Sequence, residues 1–240
     1  MRIVKVPGYC SEETRICQNA GNLVISELRK IGSSEKGKLI DVSLLDVEEI
    51  RVDNLKIEER DNLIFENGLE EFKSRDKVIF LGGDISINRA LIGAFSQGYE
   101  SACFIVVSSR VSEIVDLIDS RFLLVGAGNL KREEIENLSQ KRVKRIDLNL
   151  IELDMAESTD AIMEFSYGRD LFFIFDFSAL DSAYRFSPSG EPGGLTGRQV
   201  IYLLSRIGMM KNLRAMSFSG IDGENKEAVR LGAKLVSEVL

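Results

Sequence analysis

Leu171-Phe172-Phe173-Ile174-Phe175-Asp176-Phe177-Ser178-Ala179-Leu180-Asp181, followed shortly by Ser187-Pro188-Ser189-Gly190-Glu191-Pro192-Gly193-Gly194-Leu195-Thr196, is the stretch on which the fold turns. Residues 171–175 are continuously apolar rather than alternating, as expected of a parallel strand covered by helices on both faces. Residues 181–195 hold two of the chain's 3 prolines together with Gly190, Gly193 and Gly194. An irregular stretch of that length is usually functional or a lid. Thr196 offers its hydroxyl to the open N–H groups of a following helix and is the predicted N-cap.

The same rhythm extends outward in both directions. Apolar runs at 2–6, 39–42, 77–81, 102–107, 122–125, 145–148, 171–175 and 214–218 predict about eight strands. Helical spacing falls at 22–28, 85–95, 133–138, 162–165, after Thr196, and over 227–240. Strands alternating with helices imply a three-layer α/β sandwich around a mostly parallel sheet. With no linker or repeat in sight, residues 1–240 read as a single domain. In such sheets ligands bind outside the carboxyl ends of the strands, so the residues just after each strand are the candidates for chemistry.

Composition narrows that chemistry. Hydrophobic residues are 44% and charged residues 29%, enough for a sizeable core and no case for disorder. With 31 Lys and Arg against 38 Asp and Glu, the formal charge of −7 would repel a phosphate backbone, so nucleic acid is not an expected partner. Residues 1–6 are too short for a signal-peptide core, and no apolar run reaches membrane-spanning length, so a cytoplasmic location and no membrane partner are expected. Cys10, Cys17 and Cys103 form no CxxC pair and read as buried or spectator thiols. The chain has no histidine, which removes every mechanism built on Ser-His, Cys-His or His-metal pairs.

Two strand ends carry a pattern. After 77–81 comes Gly82-Gly83-Asp84-Ile85-Ser86, which alone is a tight turn with an aspartate cap. Taken with Asp176, Asp181 and Gly193-Gly194-Leu195-Thr196, it resembles the arginase/agmatinase/formiminoglutamase (ureohydrolase) family. That family has Gly-Gly-Asp-His-Ser after one strand, and Asp-x-Asp-x-x-Asp then Gly-Gly-Leu-Thr after a later one. Between them it carries Asp-Ala-His-x-Asp, where this chain reads Ser108-Ser109-Arg110-Val111-Ser112. Near the C-terminus the family's Asp-x-x-Glu-x-Asn-Pro is replaced by Ser217-Phe218-Ser219-Gly220-Ile221-Asp222. The resemblance covers roughly residue 77 to the end.

The resemblance implies two manganese ions sharing a hydroxide that attacks a guanidinium carbon, a geometry with ions ~3.5–4 Å apart. Carried over position by position, the ligands would be Ile85, Ser108, Arg110, Ser112, Asp176 and Ser178. Only Asp176 is an ordinary anionic ligand, and Arg110 would repel Mn²⁺. No manganese or other cofactor is therefore expected. The former pocket would comprise Asp84, Ile85, Ser86, Ser108, Arg110, Ser112, Asp176, Ser178, Asp181 and Glu191, with Arg110 paired to Asp176 or Asp84. Alternatively, Arg110 with Ser108, Ser112 and Ser178 would bind a small anion.

Two further motifs reduce to local structure. Gly126-Ala127-Gly128 lacks the third glycine of a dinucleotide fingerprint, since Lys131 stands there, and reads as a turn. Asp222-Gly223-Glu224 lacks the oxygen alternation of a calcium loop and reads as helix capping. The sequence thus points to a non-catalytic homologue that regulates a partner or binds a ligand. The alternative is a divergent hydrolase of C–N bonds in linear amidines or guanidines, rebuilt from Asp84, Asp176, Asp181 and Glu191. The resemblance also implies a homo-oligomer, a trimer or hexamer.

Overall fold

The run at 171–175 lies inside strand β7 (Asp170–Asp176), and both its faces are covered. Leu171, Phe173 and Phe175 enter one apolar cluster, and Phe172 and Ile174 enter the cluster on the opposite side. A side-chain period of two with both faces apolar is what a central parallel strand requires. A computed structural model describes residues 1–52, 55–74, 77–128, 130–184 and 186–240.

The remaining strands are β1 (Arg2–Lys5), β2 (Asp46–Glu49), β3 (Val78–Leu81), β4 (Ala102–Val107), β5 (Phe122–Val125), β6 (Lys144–Ile146) and β8 (Leu213–Ser219). They form one sheet in the order β2-β1-β3-β8-β7-β4-β5-β6, with every strand pair parallel. Helices α1 (Ala20–Leu28), α5 (Leu148–Leu153), α6 (Met155–Phe165), α7 (Gly197–Ile207) and α8 (Lys226–Val239) cover one face. Helices α2 (Ile57–Lys73), α3 (Ile87–Gly98) and α4 (Arg132–Gln140) cover the other.

The α2/α3 face is fastened by aromatic rings. Phe72 meets Phe95 edge-on at 5.1 Å between centroids, and Phe104 stacks on Phe122 at 4.4 Å. Each buried phenylalanine contributes on the order of 1.5–3 kcal/mol by leaving water, and favourable ring geometry adds ~0.5–1.5 kcal/mol. Thr196 caps α7 as expected: its hydroxyl accepts from Gln199 N at 3.2 Å, and the Gln199 side chain accepts from Thr196 N at 2.8 Å.

Three sequence expectations need correction. Residues 39–42 do not form a strand; Leu39 makes only an isolated antiparallel bridge to Ser33, and the edge strand is the polar Asp46–Glu49. This strand pairs with β1 alone and buries almost nothing, so no apolar signal marks it. Arg2 fixes it electrostatically, reaching Asp46 at 2.7 Å and Glu48 at 3.5 Å. The 17-residue helix α2 is also absent from the sequence reading, because its buried line of Arg60, Ile64, Gly68 and Phe72 has only two apolar side chains of any size among many carboxylates. Residues 145–148 straddle two elements, since β6 ends at Ile146 and Asp147 caps α5 through Leu150 N at 3.0 Å. Among the described residues no helix is long and apolar enough to cross a membrane.

Candidate functional site

Strand register sets the floor of the site. Leu81, Phe218, Phe175 and Val107 pair in a continuous row across β3, β8, β7 and β4. The next residue of each strand therefore emerges at one level, which brings Gly82, Ser219, Asp176 and Ser108 to the same edge. Gly82 and Gly83 then turn the chain with φ of 102° and 68°. A Cβ on Gly83 would lie 2.5 Å from Gly8 O, so the bare backbone is required both by the left-handed conformation and by the approach of the β1–α1 loop.

Asp84, 2% exposed, is the residue this turn delivers. Its Oδ1 accepts from Ser86 N at 3.0 Å and Ser86 Oγ at 2.5 Å. Its Oδ2 accepts from Cys10 N at 2.8 Å and Thr14 Oγ1 at 2.6 Å. One carboxylate thus holds the loop after β1 against the start of α3. The expected cap is displaced: α3 begins at Ile87, and Asp84 acts on the turn before it.

Asp176, 3% exposed, has the second buried carboxyl. Its Oδ1 accepts from Ser178 N at 3.0 Å and its Oδ2 from Ser219 Oγ at 2.8 Å. Burial pushes this carboxyl above the ordinary aspartate range; the bonds from Ser178 and Ser219 pull the other way, and the charge of Asp84 adds to the rise. Gly220, at φ 72°, leaves the space it needs, because a Cβ there would sit 2.6 Å from Asp176 Oδ2.

A serine cluster completes the floor. Ser108 Oγ donates to Arg110 O at 2.6 Å and lies 3.1 Å from Ser178 Oγ, which also accepts from Ser109 N at 3.3 Å. Arg110 is half-buried and lines the pocket with Asp84, Ile85, Asp176 and Ser178. Among the described residues its guanidinium makes no ion pair with either aspartate, contrary to the expected pairing. Both carboxylates take their bonds from uncharged donors instead.

Other expected members fall outside. Ser112 is exposed and donates to Glu113 Oε2 at 2.8 Å. Asp181 accepts from Ala183 N at 2.7 Å and Gly193 N at 2.9 Å, so it shapes the following loop. Glu191 O accepts from Ser182 N at 3.1 Å in the same loop, and its side chain does not line the pocket. Ser86 bonds to Asp84 through its N–H and hydroxyl and does not line the pocket. The four carboxylates of a rebuilt hydrolase therefore do not converge.

The pocket has walls that the sequence reading missed. Cys10, Thr14 and Cys17 come from the loop after β1, and Ser187, Pro188 and Ser189 from the loop after β7. The first set was open to inference, since that loop also leaves the carboxyl end of a strand. Burial, reinforced by Asp84, pushes the Cys10 thiol up to about 11. Burial and the charges of Asp176 and Asp84 push Cys17 higher still, so neither is a thiolate near neutrality. The loop over 181–195, of which Arg185 lies outside the described residues, is closed at its base. Leu195 N donates to Ala179 O at 2.7 Å and Asp181 N to Leu195 O at 3.1 Å. With the loop in place the pocket holds about 30 Å³, against the ~300–1,000 Å³ of ordinary small-molecule sites.

The two remaining motifs are local. Gly126 turns at φ 73° ahead of α4, and Asp222 Oδ1 accepts from Glu224 N at 2.8 Å while Asn225 provides the cap of α8.

No family model matches this sequence, and no curated protein does. Solved structures do resemble it in fold. The formimidoylglutamase of Bacillus subtilis subsp. subtilis str. 168 superposes with a TM-score of 0.87 at 17% identity, covering 99% of this chain and 85% of its own. Arginase from the same organism gives 0.84 at 13%, covering 100% and 98%. Proclavaminate amidino hydrolase from Streptomyces clavuligerus gives 0.85 at 16%, covering 99% and 89%. At such identities the likeness is one of fold: the chain has the arginase-like α/β architecture.

Proposed function

We propose that this chain is an arginase-family homologue that does not run dimanganese hydrolysis and acts as a non-catalytic regulatory or ligand-binding protein. The observation that carries the proposal is the use made of Asp84 and Asp176. Every oxygen of these two carboxylates already accepts at least one hydrogen bond from the protein, with four donors on Asp84 alone. They act as staples between loops.

The donor set does not fit the manganese pair found in such folds. Divalent manganese wants carboxylate or imidazole ligands converging on one point. Among the described residues no group of three or more His, Cys, Asp or Glu could hold a metal ion. At the positions corresponding to ligands stand Ile85, Ser108, Arg110, Ser112 and Ser178, none of them anionic. Two dications beside Arg110 and the three carboxylates of the lining, Asp84, Glu113 and Asp176, would still leave uncompensated positive charge in the site. The closed pocket agrees, since a guanidino compound is far larger than the space left under the loop.

Elemental analysis of protein purified with and without added manganese, joined to calorimetric titration with Mn²⁺, tests the proposal. No stoichiometric binding is expected in either preparation. One or two tightly held ions per chain would sink it and direct attention to guanidino and amidine substrates.

A further inference from the structure

We propose that the groove at the amino ends of β5, β6 and β7 is a second site, built to take the polyphosphate group of a small molecule. It lies at the end of the sheet opposite the Asp84–Asp176 pocket and is independent of how that pocket is read. Its volume, about 650 Å³, is within the usual range of small-ligand sites, whereas the pocket at the other end is nearly filled. Lys144 and Arg145 come from β6, the last strand of the sheet, and Arg169 immediately precedes β7.

Charge is the reason an anion fits. The chain is acidic overall, and Arg2, Arg60, Arg89, Arg121, Arg132, Arg198, Arg206, Arg214 and Arg230 each contact a carboxylate. Among the described residues Lys144 and Arg169 have no such partner, yet both reach the Phe165 ring in one concavity, which Arg145 borders with its backbone while its side chain alternates to the other face of β6. Glu164 is the single carboxylate of that lining, so a positive excess remains. Like charges gathered in a cleft focus a positive potential that a multivalent anion relieves.

The cations are also held in position. The Arg169 guanidinium lies over the Phe165 ring at 4.4 Å and donates to Phe165 O, and Lys144 Nζ lies 5.8 Å from the same ring. A ring within reach of both cations orders them without neutralising either, which a carboxylate could not do. One Arg169 nitrogen is used on Phe165 O, its remaining N–H donors are left for phosphate oxygens, and Lys144 adds a point charge. Because Arg169 covers the ring, recognition rests on charge and hydrogen bonds rather than on stacking of a base. The exposed Ser120 adds a hydroxyl at the groove's margin.

The test is calorimetric titration of the full chain with inorganic triphosphate at low and at physiological ionic strength. Saturable one-to-one binding that weakens with salt is expected. The double variant Lys144→Gln/Arg169→Gln, checked by circular dichroism for an unchanged fold, should lose at least about tenfold in affinity through its missing charge-assisted bonds. Arg169→Lys, which keeps the charge and loses the fork, serves as a second variant and should weaken binding by less. Absence of saturation, or equal affinity in wild type and double variant, overturns the assignment. So does tighter binding of single-stranded oligonucleotides that grows with their length, because that marks an extended nucleic-acid surface instead of a polyphosphate site.

Discussion

Replacing Asp84 by asparagine separates a structural carboxylate from a reactive one. The wild-type side chain receives four hydrogen bonds, two on each oxygen, and is almost fully buried. Asparagine keeps one acceptor oxygen and must turn its NH₂ toward the other pair of donors. In either orientation that pair contains a hydroxyl, Thr14 or Ser86, which can rotate to accept, and a backbone N–H, Cys10 or Ser86, which cannot. One bond to a charged acceptor is then lost outright, ~1.5–3 kcal/mol, and a buried donor is stranded, ~1–3 kcal/mol. Together the expected destabilisation is about 3–5 kcal/mol. With a urea dependence near ~3 kcal/mol/M, the unfolding midpoint followed by circular dichroism should fall by about 1–1.7 M. A residue kept for catalysis behaves in the opposite sense, since relieving its strained or charged burial commonly stabilises the fold. An unchanged or raised midpoint for Asp84→Asn would refute the staple reasoning.

Gly220→Ala should lower stability by about 2–4 kcal/mol, combining the left-handed backbone penalty with a Cβ forced against Asp176; a thermal melt within a degree of wild type contradicts this. Asp176 has its native pKa raised above the unfolded value of ~3.9, so the native state holds the proton more tightly. Its contribution is complete below the unfolded pKa and is lost as pH rises through the folded one. The stability of Asp176→Asn relative to wild type should therefore climb from acid toward neutral pH, and a flat difference across that range defeats the argument. Cys10, with its thiol near 11, should alkylate at pH 8 about two orders of magnitude more slowly than a free cysteine, and Cys17 only after unfolding. Rapid labelling of native Cys17 would contradict its burial, and rapid labelling of Cys10, whose residue is exposed, would contradict its raised pKa.

The fold was legible where burial was two-sided. Residues 78–81, 104–107 and 172–175 had to be central parallel strands because nothing polar interrupts them, and the motifs after them fixed where the loops meet. The edge strand Asp46–Glu49 escaped because an edge with one neighbour and an ion-pair clamp needs no apolar residues. Helix α2 escaped because its contact line includes Gly68 and an arginine, neither of which registers as hydrophobic spacing. In the site, Asp84, Ile85, Arg110, Asp176 and Ser178, each just after its strand, line one pocket. Their partners were not legible, since Thr14 and Cys10 are about 70 residues from Asp84 and no motif ties them to it. The freedom of Arg110 from both aspartates reflects the same limit: backbone N–H groups compete for carboxylates and leave no trace in a sequence.

The bridge of Leu180 to Leu195 has a consequence for how this architecture can change. By joining the two ends of the loop at its base, it makes the intervening segment a plug that can be exchanged without disturbing β7 or α7. Closure entropy grows only slowly with loop length, by ~0.6 kcal/mol per doubling, so a shorter or longer plug costs little in stability. Cavity size in this scaffold is thereby decoupled from sheet geometry, and one replaced segment could reopen the chamber while every strand stays in register.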